Sequence, residues 1–465
     1  MIERARFLRG GARAVTGLVV IAAGAAALLL VSTLELPSVE REPVAVTVDT
    51  TQQTTRSLVC AGAFAELGAD TARPGVAIPG GEPAVSTAGD PSGTAALART
   101  EGNGGLPAVI TAPESEPLAA AQTQSLDTVN LRGAAASSCT EPLNEQWLIG
   151  GGSSLGVATT LSLGNPGTVP ATVSVTVFDE SGEVDAVQTA GVLVAPGTQQ
   201  SVSLNGYAPD RERLAVRVVS TGAPVVAHLG VAQSSGIDPF GISGVTSQRE
   251  PQTEVVIPGI ANARGDDQGP SDSGEGDAFP MLVRALAPGD EEGNVSVRAI
   301  DDDGRATDLG TLTLVPRAVG ELSVTEIPRG TNALVLDADV PVIATAMGSA
   351  GDEENHDFEW FAPAPQLAAK DRVAVPVASG GRLVLANSGD SGADVELQRA
   401  DGKGKATRVS VKPGATRVIT VSSPSILTSS QPVSAAVRMF SGSTIAGFPI
   451  VAPDPRDASL TVYTR

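Results

Sequence analysis

Two histidines, two cysteines and 52 acidic residues set the limits of the chemistry open to this 465-residue chain. His228 closes the apolar, strand-like run Ala223-Pro224-Val225-Val226-Ala227-His228. His356 stands in the acidic stretch Asp352-Glu353-Glu354-Asn355-His356-Asp357. Neither has the His-Glu-x-x-His spacing of a zinc protease, and no phosphate-cradling Walker sequence occurs. His228 therefore reads as a packed strand residue. No catalytic, cofactor-binding or metal-ligating residue is assigned, and the chain reads as something other than an enzyme.

Paired carboxylates can hydrolyse a glycosidic bond, but sugar clefts usually stack rings on aromatic side chains. Aromatics make up 3% of this chain and there are two tryptophans, Trp147 and Trp360, so a glycan-active enzyme is the weakest reading. Trp147 reads as a core side chain beside the glycine turn Gly150-Gly151-Gly152. The acidic clusters Asp301-Asp302-Asp303 and Asp352 to Asp357 lack the spacing of a calcium loop and read as solvated hairpin tips. Arg264-Gly265-Asp266 spells a tripeptide that some adhesion receptors bind, but three residues recur by chance.

The elements around these residues are clearer. Residues 14–34 carry no charge and are long enough to cross a hydrocarbon core of about 30 Å. Arg4, Arg6, Arg9 and Arg13 precede them, and Glu35, Glu40 and Glu42 follow. Positive charge stays inside, which predicts a cytoplasmic tail (1–13), one transmembrane helix (14–34) and an extracellular remainder. A cleaved signal peptide is the rival, but no small-x-small site closes the apolar run. The chain's formal charge is −21 and its first fourteen residues carry +3, leaving about −24 for the rest. Such a surface repels nucleic acid. Cys60 and Cys139 both lie beyond the apolar run and are expected to form a disulfide, as that compartment allows.

Beyond the membrane segment, one pattern occurs three times. A strand and turn opens each copy: Leu161-Ser162-Leu163-Gly164-Asn165-Pro166-Gly167, then Val283-Arg284-Ala285-Leu286-Ala287-Pro288-Gly289, then Leu383-Val384-Leu385-Ala386-Asn387-Ser388-Gly389. An alternating strand follows (Val173, Val175, Val177; Val295, Val297, Ala299; Val395, Leu397, Arg399) and ends in an acidic, glycine-containing turn. Alternation buries one face, and Asp and Gly are hairpin chemistry. A proline turn leads to another strand, and a last strand pair follows around Pro224, Pro341 and Pro432. With lead-ins at Trp147, Val255 and Val373, each copy holds about seven strands, the count of an immunoglobulin-like sandwich.

The predicted fold is all-β: tandem immunoglobulin-like β-sandwich domains after one transmembrane helix, with a β-propeller-like array as the alternative. The predicted boundaries are a stalk at 35–59, a disulfide-tied module at 60–140, and repeats at 141–250, 251–365 and 366–465. Residues 264–278 read as an acidic loop.

The run Trp147-Leu148-Ile149-Gly150-Gly151-Gly152, the Asn165-Pro166-Gly167 turn, the alternating valines and Pro224-Val225-Val226-Ala227-His228 together resemble an actinobacterial envelope family. It is known only as a domain of unknown function, family number 5719. The second and third copies lack the Trp and keep a degraded Asn-Pro-Gly. The resemblance implies a membrane-anchored cell-envelope protein and supplies no catalytic residue. The expected role is a non-catalytic scaffold holding an envelope protein or a cell-wall polymer, with a surface adhesin as the alternative.

Overall fold

Alternation decides the architecture. In Ala171–Asp179 the side chains of Val173, Val175 and Val177 are at most 2% exposed while Thr172 and Ser174 face solvent. The same pattern recurs in Gly293–Ile300 and Ala393–Arg399. Each such strand covers one side of a core built from two sheets.

A computed structural model of the chain describes residues 19, 22–26, 44–48, 55–67, 72, 77–99, 104–185, 191–262, 281–324, 327–351, 355–441, 443–452 and 460–464. The expected membrane segment falls mostly outside them, and the acidic loop 264–278 with Arg264-Gly265-Asp266 entirely so. Val19 and Ala22–Ala26 are helical. No helix among the described residues is long and apolar enough to cross a membrane.

Each repeat is a two-sheet sandwich, and all three copies share one strand order. In the first, Glu145–Ile149 pairs with Ala215–Thr221, which pairs with Ala171–Asp179, which pairs with Val192–Val194. The facing sheet runs Thr198–Ser203, Val157–Asn165, Val226–Ser235, Asp238–Thr246. In chain order the sheets are therefore 1-6-3-4 and 5-2-7-8, and the other two copies repeat this order. An immunoglobulin sheet sets its first strand beside its second; here the first strand lies beside the sixth. There are eight principal strands rather than seven. The eighth is Asp238–Thr246, His356–Phe361 or Ile445–Pro449.

The proline before the last strand pair marks where the chain changes sheets. In the second copy, Ala333–Gly351 is one strand of 19 residues. Its start pairs with Gly293–Ile300 in one sheet and its end with Met281–Leu286 in the other, on either side of Pro341. A residue that cannot donate to a ladder suits this crossing.

The Asn of the opening turn is a buried staple. Asn165 Nδ2 donates to the carbonyls of Val169 (2.8 Å) and Val194 (3.0 Å), and its Oδ1 accepts from Gly167 N. Asn387 repeats this with Ser391, Val411, Lys412 and Gly389. Asn387→Ala should lose about 2–3 kcal/mol, since buried backbone carbonyls lose their donor. Urea unfolding monitored in the third repeat checks this, and an unchanged midpoint would count against the staple.

The N-terminal module is a smaller sandwich. One sheet is Thr55–Val59, Ala108–Pro113 and Gly93–Ala96; the other is Ala84–Ala88, Ala119–Asp127 and Arg132–Cys139. Cys60 and Cys139 form a disulfide between the sheets, packed with Leu58, Ile110, Ala112, Leu118 and Ala120. Thr55–Val59 thus belongs to this module and not to a stalk. Leu460–Thr464 lies within the predicted third repeat, yet it pairs with Val44–Val48 in a separate small unit.

Within residues 53–455, the modules close on one another. Trp147, Ile149 and Phe178 of the first repeat pack on Leu286, Val319 and Ile343 of the second. Val256, Ile300 and Val335 of the second meet Ala386 of the third. The N-terminal module bridges the ends: Val59, Leu97 and Val109 meet Val226 of the first repeat, and Ala121 and Ala136 enter the third repeat's core. The sandwiches and the N-terminal module thus meet at a common centre.

Candidate functional site

That centre is where four strands meet, one from each module: Arg132–Cys139, Asp238–Thr246, His356–Phe361 and Ile445–Pro449. Asp357 sits among them, fully buried. Its Oδ2 accepts from Ala134 N (2.9 Å) in the N-terminal module and Ile445 N (3.1 Å) in the third repeat. Its Oδ1 accepts from Phe358 N (3.0 Å) and Ile242 N (3.4 Å) of the first repeat. One carboxylate thus receives a backbone N–H from every module. Gly133 makes this approach possible: a Cβ there would lie 2.3 Å from Asp357 Oδ1, and its φ is +124°.

Two residues on, Glu359 is also fully buried and accepts from Ser243 Oγ at 3.1 Å. Burial pushes the Asp357 carboxyl well above the usual range, against the pull of its four N–H partners. Burial pushes Glu359 up as well, and the charge of Asp357 pushes it further. The folded state therefore keeps a proton where the unfolded chain has released it. Its contribution is complete below the unfolded pKa and is lost as pH rises through the folded one, at up to about 1.4 kcal/mol per pH unit. Glu359→Gln fixes the neutral form and escapes that loss. The variant should melt with the wild type near about pH 4 and increasingly above it toward neutrality. A melting difference that does not change with pH would contradict this.

Arginines fasten neighbouring repeats. Arg284 of the second repeat donates to Glu321 Oε2 (2.6 Å), to the carbonyl of Glu212 (3.0 Å) and to that of Gly151. Its guanidinium lies 4.5 Å from the centre of the Trp360 ring, a cation–π contact. Trp360 belongs to the second repeat but fills the core of the first. A Cβ on Gly150 would come 3.2 Å from that ring. Arg438 of the third repeat reaches the carbonyl of Ile260 in the second at 2.5 Å.

These contacts place the residues singled out in the sequence. Trp147 is buried between the first and second repeats, stacked on Phe178 with ring centres 6.0 Å apart. The glycine run beside it receives Trp360 and Arg284. Asp357 was read as part of a solvated hairpin tip, and it lies at the centre of the fold. Asp301 is a turn residue as expected, but its side chain is buried while Asp302 and Asp303 face solvent; its Oδ1 accepts from Asp303 N and Arg305 N (2.9 Å each). Those N–H groups, Arg305's first, hold its carboxyl below the usual range. Among the described residues no group of three metal-ligating side chains assembles; residues 352–354 lie outside them. His356 stacks on Phe240.

One spacing escaped the sequence reading. Gly152-Ser153-Ser154-Leu155-Gly156 has the form of a nucleophile elbow, which needs a strand-to-helix turn. Here a strand, Val157–Asn165, follows. Ser153 Oγ donates to the carbonyl of Ala208 and accepts from Arg211 N. The match is loop structure.

His228 is buried on the second sheet of the first repeat, where that sheet faces the N-terminal module. Its Nε2 lies 3.1 Å from the carbonyl of Ser138, so Nε2 carries the proton. Burial lowers its pKa to about 4. His228 lines a cavity of about 50 Å³ with Phe64, Arg99, Thr160, Ser162 and Ser201. A neighbouring cleft of about 420 Å³ shares Phe64, Thr160 and Gly230 with it.

The model of a family of unknown function, DUF5719, matches residues 97–422. The chain belongs to that family. The DUF5719 match opens in the N-terminal module and ends in the third repeat, so it takes in strands of all four modules. No curated protein matches the chain. Two solved structures are distantly similar. The FN1–FN3 domains of chicken CNTN1 are 12% identical, covering 70% of this chain and 99% of that one, with a TM-score of 0.12. A tetra-tandem repeat from the extending region of a large adhesion protein is 10% identical, covering 88% and 99%, with a TM-score of 0.11. Scores this low carry no argument about fold or function.

Proposed function

We propose that the chain is a non-catalytic, membrane-anchored binding platform of the cell envelope, displayed outside the cytoplasm to hold an envelope protein or a wall polymer. The observation that carries this reading is the use made of Asp357. This fully buried carboxylate accepts backbone N–H groups from all four modules, so it acts in joining them. The uncharged stretch 14–34 behind four arginines supports an anchor with a cytoplasmic N-terminus. The Cys60–Cys139 disulfide suits an oxidising compartment, and the excess of acidic residues keeps such a surface soluble. The family's actinobacterial setting belongs to the same proposal.

Crosslinked affinity purification of the full chain from membranes tests it. Envelope-assembly components or wall polymer should co-purify, and deleting the repeats should lose them. Recovery of the chain from the cytosolic fraction, or a C-terminal reporter active only in the cytosol, would contradict the reading.

A further inference from the structure

The three sandwiches offer an internal comparison at one position. On the outer face of each second sheet, strands 5, 2 and 7 align three residues in a row. In the second repeat the row is Glu321, Arg284 and Thr345, and Arg284 reaches across to the first repeat. In the third it is Val418, Val384 and Ala436, an apolar row. In the first it is Ser201, Ser162 and His228. Small hydroxyls and an imidazole stand where the sister copies carry a long ion pair or aliphatic groups, and the cavity lies over them.

We infer that this cavity and the cleft that shares its lining bind an uncharged, multiply hydroxylated ligand, a saccharide unit. His228 is 2% exposed, and its Nδ1 has no hydrogen-bond partner. With Nε2–H given to Ser138, Nδ1 is an acceptor that can take an O–H or N–H from the ligand. A bare anion has no hydrogen to offer it. A cation would meet the Arg99 guanidinium, which lines the same cavity. The hydroxyls of Ser162, Ser201 and Thr160 can donate or accept, so they suit a partner that does both. About 50 Å³ is several times what one water needs, and it fits one hydroxylated arm of a sugar. The cleft of about 420 Å³ takes the ring. Phe64, which lines both spaces, supplies an apolar face; its ring lies over Gly230, where a Cβ would come within 3.1 Å. The low pKa of His228 keeps Nδ1 an acceptor at neutral pH.

This inference deepens the platform reading by naming a ligand class and a site. The chain has two histidines, so selective histidine labelling of the full-length protein gives two imidazoles, with His356 as internal reference. Glucose, N-acetylglucosamine and their disaccharides are titrated, with acetate and phosphate as charged controls. At least one saccharide should shift the His228 resonances and leave His356 unchanged. Ser162→Leu and Ser201→Leu, each filling the cavity, should raise the apparent Kd at least about tenfold, a loss of about 1.4 kcal/mol, without lowering Tm. Saccharides that leave His228 unmoved, a response to acetate or phosphate alone, or a shift that survives Ser162→Leu would overturn the inference. The disaccharide is recovered after each titration. Intact sugar fits both readings, whereas cleaved sugar with a His228 shift would uphold the site and defeat only the non-catalytic reading.

Discussion

Asp357→Ala should destabilise residues 53–455 by about 3–5 kcal/mol, because it leaves several buried backbone donors unpaired at once. Four backbone N–H groups lose their acceptor, those of Ala134, Ile242, Phe358 and Ile445. Each unmade bond costs about 1–3 kcal/mol, and relief from burying a carboxylate offsets part of the sum. Asp357→Asn should recover at most half. It keeps one oxygen, but its amide N–H₂ faces two of the donors. The loss should also be shared: three of the four donors belong to other modules, so protease sites between modules should open together. Urea unfolding with limited proteolysis checks both points. A loss below about 0.5 kcal/mol, the size of an ordinary surface substitution, would remove Asp357 from its assigned role.

The second large effect concerns the disulfide. Cys60 and Cys139 are 79 residues apart. Closing a loop of that length stabilises the folded chain by about 4 kcal/mol through the unfolded state. The double variant Cys60→Ser, Cys139→Ser should lose roughly that amount, and the loss should begin in the N-terminal module, whose small core packs Leu58, Ile110, Ala112, Leu118 and Ala120 around the cystine. That module bridges the first and third repeats, so reduction should also expose the Ser138–His228 and Ala134–Asp357 contacts. Thermal melts with and without reductant measure it. Equal Tm values in the two states would contradict the prediction.

The strands, the triplication and the turn chemistry were legible because they depend on local pattern. Alternating valines announce a half-buried strand, and Asn165 and Asp301 bond to their own turns. The disulfide followed from two cysteines beyond one apolar segment. The centre was hidden for a physical reason. Asp357 is held by N–H groups on strands that come close only once the modules have closed, and no spacing in the chain encodes that closure. The nearest local signal was Asp357-Phe358-Glu359-Trp360-Phe361, in which acids alternate with aromatics. In a strand with an apolar face this puts carboxylates on the other side, and here that side is also buried. Arg284 stands at the position of Ser162 with nothing local to mark it, and it is the fastening between two copies. The eighth strand of the first sandwich, Asp238–Thr246, is interrupted by Gly241 and Gly244 and gives no clean period.

The account rests on four modules forming one cooperative body around Asp357. Native-state hydrogen exchange reports this at the amides of Ala134, Ile242 and Ile445, which lie in three different modules. If the modules open only together, the three amides share one opening free energy, and Asp357→Asn lowers all three by the same amount. Three separate opening energies, with the variant altering only the second repeat, would show independent domains on a string and contradict the account.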